Sequence, residues 1–275
     1  MNLIFLIIIL SLTFILVITL LNAITAPSLR KKIACKDIPL VSVLIPVRNE
    51  KRNIQRCLED LLSQDYPLYE IIVLDDHSDD GSGELVKKIA ADIPHLRLFM
   101  GKKIPHGWIG KNWACHQLSV LARGEILIFT DADNRYAEDA VSRTVAWIQE
   151  YRCDLFSAFP QQCTKTMFEK LIVPTVYMTV YCYLPLWLTY YSRFSSLAAA
   201  NGQWIAFTKN AYRSIGGHER VKGRIVEDIE LARLVKKNKM RIITAAGTCS
   251  VYARMYHNRK EVWDGFSKNL FGLMS

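Results

Sequence analysis

The middle of the chain reads Glu125-Ile126-Leu127-Ile128-Phe129-Thr130-Asp131-Ala132-Asp133, a short apolar run that ends in two carboxylates one residue apart. The run is too short for a typical helix and is rich in β-branched and aromatic residues, so it predicts a buried β-strand. Alternate residues of a strand point to one face, so Asp131 and Asp133 share a face if the extended conformation continues to the end. The carboxyl edge of an open α/β sheet is where ligands bind.

Two adjacent carboxylates repel each other unless a cation lies between them. Hard oxygen ligands favour Mg²⁺ or Mn²⁺, particularly where substrate phosphates complete the coordination shell. The alternative interpretation is a solvated loop after a strand, because isolated Asp-x-Asp triplets are common. The remainder of the chain decides between these two interpretations.

Apolar runs and helical patterns alternate on both sides of this stretch. We expect strands at 40–46, 70–76, 95–100, 125–133 and 154–159, and helices near 49–62, 84–91, 111–122 and 138–150. This alternation predicts an α/β fold with a mostly parallel sheet flanked by helices. Acidic or polar residues follow three of the strands, in Pro46–Glu50, Asp75–Asp80 and Thr130–Asp133, which indicates a site at the carboxyl edge.

Several classes of protein are disfavoured by the sequence. The segment Gly107–Asn112 lacks the P-loop pattern, and no dinucleotide-binding glycine fingerprint follows the first predicted strand. The formal net charge is +9, but no nucleic-acid-binding motif is present, so anionic lipid and a nucleotide diphosphate are the simpler partners. The seven cysteines are scattered without a Cys-x-x-Cys pair, which favours reduced thiols in the cytosol.

The N-terminus predicts a membrane anchor over residues 1–29. No charged side chain occurs there, and about 20 apolar residues suffice to span a bilayer as a helix. A cleaved signal peptide is the alternative, but the basic first region and a clear cleavage site are missing. The basic residues 30–32 follow at once, which predicts that the rest of the chain is cytoplasmic, at the bacterial inner membrane.

A second uncharged run covers residues 171–191, but Pro174 and Pro185 interrupt it and it is rich in tyrosine. A full crossing would separate the later residues from Asp131 and Asp133, so we predict an interfacial or re-entrant segment over 171–195. The end of the chain, 258–275, predicts an amphipathic basic helix on a membrane surface. It ends without a polar tail, which favours further membrane segments beyond it.

Two polar positions precede the end of the chain. The turn Gly216-Gly217-His218-Glu219 predicts a positive φ angle, and His218 is more typical of a loop histidine than of a catalytic one. Glu227 and Asp228 begin a predicted helix over 229–237, where acidic residues complement the helix dipole and Asp228 would stay ionised, as a general base must be. A pair of strands is expected at 241–245 and 248–254.

Taken in order, these motifs resemble the family 2 glycosyltransferases with the GT-A fold, over about residues 40–270. The matching motifs are Ile45–Glu50, Val73–Asp80, Gly110–Ala114, Thr130–Asp133, Ile215–His218 and Val226–Asp228. Each motif is weak alone, and their order makes the match specific. The resemblance implies a catalytic GT-A domain over 30–257.

The resemblance also implies residue roles. Asp76 would bind the uracil of a UDP-sugar, flanked by Pro46 and Arg48, with Glu50 in the same donor-binding motif. Lys111 would lie near the diphosphate. Asp133, assisted by Asp131, would hold Mg²⁺ or Mn²⁺, which stabilises the departing UDP. Asp228 would be the general base of an inverting transfer, and the residues expected near the acceptor or product are Glu227, Gly217, His218 and Trp263.

Within the family, Arg254-Met255-Tyr256 followed by Trp263 and Lys268-Asn269 is similar to membrane enzymes that glycosylate carotenoid acids (of the 4,4'-diaponeurosporenoate type) or are associated with hopanoid clusters. This implies transfer of one sugar, with glucose favoured, to a polyisoprenoid lipid. A processive polysaccharide synthase is an alternative, although its Gln-x-x-Arg-Trp motif is missing. A catalytically inactive membrane scaffold of the same fold is another, which the intact acidic residues disfavour.

Overall fold

The computed structural model describes residues 3–30, 33, 35–254, 261 and 263. Its strands are β1 Val41–Val47, β2 Tyr69–Asp75, β3 Leu96–Met100, β4 Ile126–Thr130, β5 Asn134–Tyr136, β6 Leu155–Phe159, β7 Gln161–Gln162, β8 Trp204–Thr208, β9 Ile242–Ala246 and β10 Val251–Ala253. Its helices are α1 Leu3–Thr25, α2 Ile54–Leu62, α3 Ser82–Ala90, α4 Gly110–Leu121, α5 Ala140–Tyr151, α6 Met167–Tyr183, α7 Leu186–Tyr191, α8 Lys209–Ser214 and α9 Glu227–Lys237.

The central sheet has the strand order β3-β2-β1-β4-β8-β6-β9. Neighbouring strands are parallel except at β8, which is antiparallel to both β4 and β6. The predicted α/β architecture with a mostly parallel sheet is therefore confirmed. The chain places β2 and β3 on one side of β1 and β4 on the other, so the order reverses between β1 and β4, where such sheets bind ligands.

The strands form because both faces of the sheet are covered by helices. In β1, Val43 and Ile45 contribute to a core shared with α2, α3 and α5, whereas Leu44 points to a second core shared with α4 and α9. Alternate residues of a strand point to opposite faces, so a continuous apolar run fills both cores.

Two predicted boundaries were wrong for local reasons. The strand β4 ends at Thr130, and Asp131 to Asp133 lie in a turn, so the extended conformation does not continue through both carboxylates. The helix α2 begins at Ile54 and not at Asn49, because Asn49 has a φ of +59°, which lies outside the helical region.

The predicted strand pair near the end of the described chain was also wrong. β9 pairs with β6 in the central sheet, whereas β10 lies between β5 and β7 in a separate small sheet. The turn at 247–250 separates the two strands, and their partners come from distant parts of the sequence. The small sheet covers the carboxyl end of β4, where Thr130 Oγ1 and Tyr136 Oη lie 2.6 Å apart.

The predicted membrane anchor corresponds to α1, which is 23 residues long. Within the described residues, α1 is the one helix long and apolar enough to cross a membrane, with a mean hydropathy of 3.2. The residues after it are attached to the central sheet: Leu29 N donates to Ala246 O at 2.9 Å, and Ala246 N donates to Pro27 O at 2.8 Å. Leu29 is fully buried.

The second apolar run forms two helices and not one. α6 continues through Pro174 and ends at Tyr183, and Pro185 precedes α7. The side chain of Asn22 in α1 holds this break: its amide donates to Tyr181 O and Leu184 O at 2.7 and 2.8 Å, and its carbonyl accepts from Leu186 N at 2.9 Å. Around the break, the large side chains of Met178, Tyr183 and Tyr191 are exposed.

The predicted amphipathic helix at 258–275 lies almost wholly outside the described residues, as do Lys31, Lys32, Met255 and the pair Lys268-Asn269.

Candidate active site

The loops after β1 and β2 bring Arg48 and Asp76 together. The guanidinium Nη1 of Arg48 lies 3.7 Å from Asp76 Oδ2, and the Arg48 side chain is 68% exposed while that of Asp76 is 14% exposed. Asp76 N donates to Val47 O at 2.8 Å, which fixes the loop to β1. A Cβ atom at Gly101 would lie 3.3 Å from Asp76 Oδ1. This close approach leaves Asp76 in a narrow recess beside an exposed cation.

An ion-pair cluster lies at the end of β4. Lys111, in the first turn of α4, places Nζ 2.9 Å from Asp131 Oδ1 and 3.4 Å from Glu227 Oε1. Burial on its own would lower the pKa of Lys111, but the two carboxylates outweigh it and hold the pKa well above the usual value. The structure thus brings together three sequence-predicted residues from α4, the β4 turn and α9.

Asp133 has one carboxylate oxygen, Oδ1, that is buried without a hydrogen-bond partner among the described residues. Burial, with the negative charges of Asp131 and Glu50, raises the pKa of Asp133 to about 7. A buried, unpaired carboxylate oxygen beside other carboxylates is the environment that a divalent cation stabilises. The residues present therefore fit a Mg²⁺ or Mn²⁺ ion.

The protein alone offers few ligands for such an ion. No group of three His, Cys, Asp or Glu side chains that could hold a metal occurs among the residues that the structure describes. Mg²⁺ is commonly bound by one or two carboxylates together with substrate phosphates and water. Asp131 and Asp133 are two carboxylates of the kind that this pattern requires.

Asp228 begins α9 and is held by two backbone amides. Gly202 N donates to its Oδ2 at 2.8 Å, and Ile229 N donates to its Oδ1 at 2.8 Å. Burial and the adjacent charge of Glu227 outweigh these hydrogen bonds and raise the pKa of Asp228 to about 6. The carboxylate is thus ionised at neutral pH but basic enough to accept a proton.

A cleft lies between Lys111, Asp131 and Asp228. Its lining residues are Pro46, Lys111, Cys115, Phe129, Thr130, Asp131, Gly202, Ile205, His218, Glu227, Asp228 and Leu231. Sequence analysis predicted six of these as site residues. The other predicted residues, which do not line this cleft, are Arg48, Glu50, Asp76, Asp133, Gly217 and Trp263, the last of which is 72% exposed.

Sequence reasoning missed the role of Gly202. A Cβ atom there would lie 3.4 Å from both Lys111 Nζ and Glu227 Oε1, and 3.6 Å from Asp228 Oδ2. The missing side chain lets the backbone enter the centre of the charged cluster, where its N–H holds Asp228. The available signal was the glycine of the turn Asn201-Gly202-Gln203, immediately before a strand.

The predicted turn at Gly216-Gly217 has positive φ angles of +80° and +51°, as expected. The next residue differs from a typical loop histidine, because His218 is only 2% exposed and lines the cleft. Burial, with the nearby positive charge of Lys111, lowers the pKa of His218 to about 3. His218 is therefore a neutral imidazole at physiological pH.

Hydrogen bonds connect the cleft to α6. The side-chain amide of Gln162 donates to Tyr177 Oη at 3.3 Å and to Gln203 Oε1 at 3.4 Å. Gln203 follows Gly202, and its carbonyl accepts hydrogen bonds from Thr130 Oγ1 at 2.6 Å and Asn134 Nδ2 at 2.7 Å. These hydrogen bonds thus link the segment after the β4 carboxylates to the apolar helix α6, next to the cleft residue Gly202.

Comparisons with known proteins identify the family of the chain. The family model described as "Glycosyl transferase family 2" matches residues 42–183. A curated relative, the 4,4'-diaponeurosporenoate glycosyltransferase of Staphylococcus haemolyticus (strain JCSC1435), is 29% identical over 84% of this chain and 60% of its own length. The chain therefore spans less than two thirds of that relative.

Solved structures show the same fold. A mannosyltransferase from Pyrobaculum calidifontis, in complex with GDP-Man and Mn²⁺, superposes with a TM-score of 0.72 at 19% identity, over 96% of this chain and 69% of that one. TarS from S. aureus, in complex with UDP-GlcNAc, superposes with a TM-score of 0.56 at 20% identity, over 80% and 60% of the two chains. These similarities show the GT-A fold.

Proposed function

Because the chain belongs to the family 2 glycosyltransferases, we propose that it transfers a single sugar from a UDP-sugar to a lipid acceptor at a membrane. The observation that carries the proposal is the cluster in the cleft. There Lys111, Asp131, Glu227 and Asp228 meet at the carboxyl edge of the sheet, between the nucleotide-binding loops and the apolar helix α6.

The donor would lie along the ends of β1, β2 and β4. Asp76 offers carboxylate oxygens to the uracil N–H, and the exposed Arg48 guanidinium can stack on the base. Pro46 lines the cleft next to them, and Glu50 lies behind Asp133. Lys111 then provides positive charge for the diphosphate, because its ammonium group already lies at the entrance of the carboxylate cluster.

Asp133 and Asp131 would hold the divalent cation together with phosphate oxygens of the donor. Such an ion supplies positive charge that stabilises the departing UDP. The chain's own contribution to the same end is Lys111, which would exchange its ion pairs with Asp131 and Glu227 for the diphosphate.

Asp228 would act on the acceptor. Two backbone amides orient its carboxylate, and its pKa of about 6 suits a general base that works near neutral pH. Direct displacement at the anomeric carbon inverts its configuration. If the acceptor is a carboxylic acid, it is already ionised at neutral pH, and Asp228 would position it rather than remove a proton.

The acceptor would reach the cleft from the membrane side, along α6 and α7. Asn22 fixes these helices to the predicted anchor, and Tyr177 connects α6 to the cleft through Gln162. On this proposal residues 1–29 are the anchor, 30–257 the GT-A domain facing the cytoplasm, 171–195 the membrane-contacting segment and 258–275 an interfacial helix. A carotenoid acid or another polyisoprenoid is the acceptor class we favour, in line with the name of the curated relative. We favour glucose as the sugar on the sequence resemblance alone.

The test is UDP release by the purified full chain in detergent with Mn²⁺. A panel of UDP-sugars would be offered with and without a bacterial lipid extract, beside Asp228→Asn and the matched exposed variant Asp92→Asn. We expect lipid-stimulated release of UDP that Asp228→Asn loses and Asp92→Asn keeps, with one sugar per lipid in the product. Oligomeric products would favour a processive synthase instead, and no UDP–Mn²⁺ binding at all would favour an inactive scaffold.

A further inference from the structure

A pair of hydrogen bonds to Tyr212 holds His218 in one orientation. The ring nitrogen Nδ1 lies 2.6 Å from Tyr212 Oη, and the backbone N–H of His218 donates to the same oxygen at 3.1 Å. Both side chains are buried, and a Cβ atom at Gly217 would lie 2.5 Å from the Tyr212 ring. The tyrosine is therefore packed against a turn that only glycine can form.

This arrangement is suited to one tautomer of the imidazole. The Tyr212 hydroxyl can accept the backbone N–H of His218 and still donate its own proton to Nδ1. Burial raises the pKa of the Tyr212 hydroxyl, so it keeps that proton. A neutral imidazole that accepts at Nδ1 carries its proton on Nε2. In that tautomer His218 has an N–H group for a ligand in the cleft that it lines.

The surroundings of His218 favour an uncharged ligand group over the diphosphate anion. One face of its ring packs against Phe129, with the ring centroids 4.9 Å apart, so the imidazole lies on an apolar wall. The diphosphate is an anion, and the chain offers it the ammonium group of Lys111. A neutral N–H donor beside Phe129 suits an uncharged hydroxyl group of the ligand. Such a site binds a sugar that has this hydroxyl more tightly than an analogue that lacks it, because the buried N–H would then have no partner.

We propose that Tyr212 locks His218 as an Nε2–H donor that binds one hydroxyl group of the transferred sugar and thereby sets donor selectivity. Tyr212 acts as a positioning residue, since it reaches the substrate only through His218. The inference rests on the proposed glycosyl transfer, because it assigns a selectivity element to that donor site.

The kinetic test compares UDP-glucose with its 2-, 3-, 4- and 6-deoxy analogues as donors. For the wild type we expect kcat/KM to fall by roughly tenfold or more for one of the analogues. In His218→Phe this discrimination should shrink to within about twofold, whereas His218→Gln, which keeps a neutral N–H donor, should retain part of it. Tyr212→Phe should weaken it as well. His95→Gln, at the opposite edge of the sheet, is the matched control.

A second measurement does not depend on turnover. The ¹⁵N resonances of selectively labelled histidine report the tautomer of His218, assigned by comparison with His218→Gln. We expect an Nε2–H tautomer that UDP-glucose with the diamagnetic ion Mg²⁺ perturbs and that UDP with Mg²⁺ does not, and a mixture of tautomers in Tyr212→Phe.

The outcomes separate this inference from the proposed function. An Nδ1–H tautomer in the wild type, or the same perturbation by UDP alone, overturns the inference whether or not the protein is active. Equal loss of kcat/KM for every donor in His218→Phe, with discrimination unchanged, also overturns it. If no donor reacts and the expected tautomer and sugar-dependent perturbation are still seen, the inference stands while the proposed transfer fails.

Discussion

The regions that we propose to bind the donor and to face the membrane are held by different kinds of interaction. On the proposed donor side, which comprises the ends of β1, β2 and β4 with the start of α4, charged residues follow strands that are buried on both faces. On the proposed membrane side, which comprises α6 and α7, large apolar side chains are exposed and the backbone is held by polar side chains from elsewhere. Asn22 of α1 holds the helix break, and the buried Lys236 of α9 donates to Thr189 O and Ser192 O.

The two kinds of interaction predict different effects of single substitutions. The sheet fixes the donor side, so a single substitution there changes charge without moving the backbone. The membrane side depends on a few distant hydrogen bonds, so a single substitution there changes position. Variants on the two sides should therefore fail in different ways, with chemistry lost on one side and lipid use lost on the other.

The largest effect is expected for Asp133→Asn on the donor side. Loss of cation binding should lower the rate of UDP release roughly a thousandfold or more, because the ion accounts for several kcal/mol of charge stabilisation. The fold should be unharmed or stabilised, because the substitution removes a buried carboxylate charge beside Asp131 and Glu50. UDP release and the midpoint of thermal unfolding, Tm, measure both outcomes.

Asp60→Asn is the matched control for this variant. Asp60 accepts hydrogen bonds from Arg135 and from Tyr136 N at 2.9 Å, so its carboxylate is well paired. Its replacement should lower Tm and leave the chemistry nearly intact. A Tm that falls as far in Asp133→Asn as in Asp60→Asn would contradict the view that Asp133 is a functional rather than a stabilising charge.

The next effect concerns pH. UDP release from UDP-glucose with water as acceptor should fall as the pH drops through about 6, by about tenfold per pH unit, because Asp228 must be ionised to accept a proton. Burial is the main cause of the raised pKa, and the charge of Glu227 is the next. Glu227→Gln removes that charge, so the acidic limb of the profile should move to lower pH. An unmoved limb would assign it to another group.

A smaller effect is expected for Asn22→Leu on the membrane side. The substitution leaves two carbonyls and an amide at the α6–α7 break without partners, each at a cost of about 1–3 kcal/mol if the group stays buried. We expect lipid-dependent transfer to fall about five- to twentyfold while UDP–Mn²⁺ binding is unchanged. Thr19→Val is the control, since the hydroxyl of Thr19 donates within α1, to Ile15 O at 2.8 Å. Weakened UDP binding in Asn22→Leu would contradict the expectation that substitutions near α6 and α7 affect lipid use and leave donor binding unchanged.

The smallest effect on activity is expected for Glu169→Gln. Burial alone would raise the pKa of Glu169, but Arg254, Lys165 N and Thr166 outweigh it and lower the pKa to about 2. Because this pKa lies below the unfolded value of 4.5, the stabilisation is present above about pH 4.5 and is lost as the pH falls toward 2. The variant should lower unfolding stability by about 1–3 kcal/mol at pH 7 and leave UDP release within about threefold.

Local patterns in the sequence were sufficient to predict β1 to β4 approximately and to place Asp76, Lys111 and Asp131 at the ends of elements. The apolar composition of residues 126–130 predicts β4. Asp76, Lys111 and Asp131 lie at the ends of strands or helices that the periodicity of apolar residues predicts. Parallel strands that start in register also end together, so their terminal residues meet. The positions of these residues follow from the local periodicity and from the rule that parallel strands end at the same edge of the sheet.

The pairing of strands that are distant in the sequence could not be predicted from local patterns. The separation of β9 from β10 depends on β5 and β7, which are two or three residues long and leave no periodic signal. Likewise, Tyr212 and His218 are joined by a turn whose glycines were noticed, but their hydrogen bonds depend on the packing of the second core. Asn22 did carry a signal, since a lone amide in an apolar helix usually has a partner.

The backbone hydrogen bonds between residues 27–29 and β9 limit how far the N-terminus can be shortened. Removing the first 29 residues, a common way to obtain a crystallisable fragment, would also remove the backbone partners of Ala246 and the buried side chain of Leu29. It would uncover one edge of the central sheet and deprive the α6–α7 break of Asn22. A fragment cut there should be prone to edge-to-edge association. A shorter trim that keeps Asn22, with detergent over what remains of α1, is the better starting point for purification.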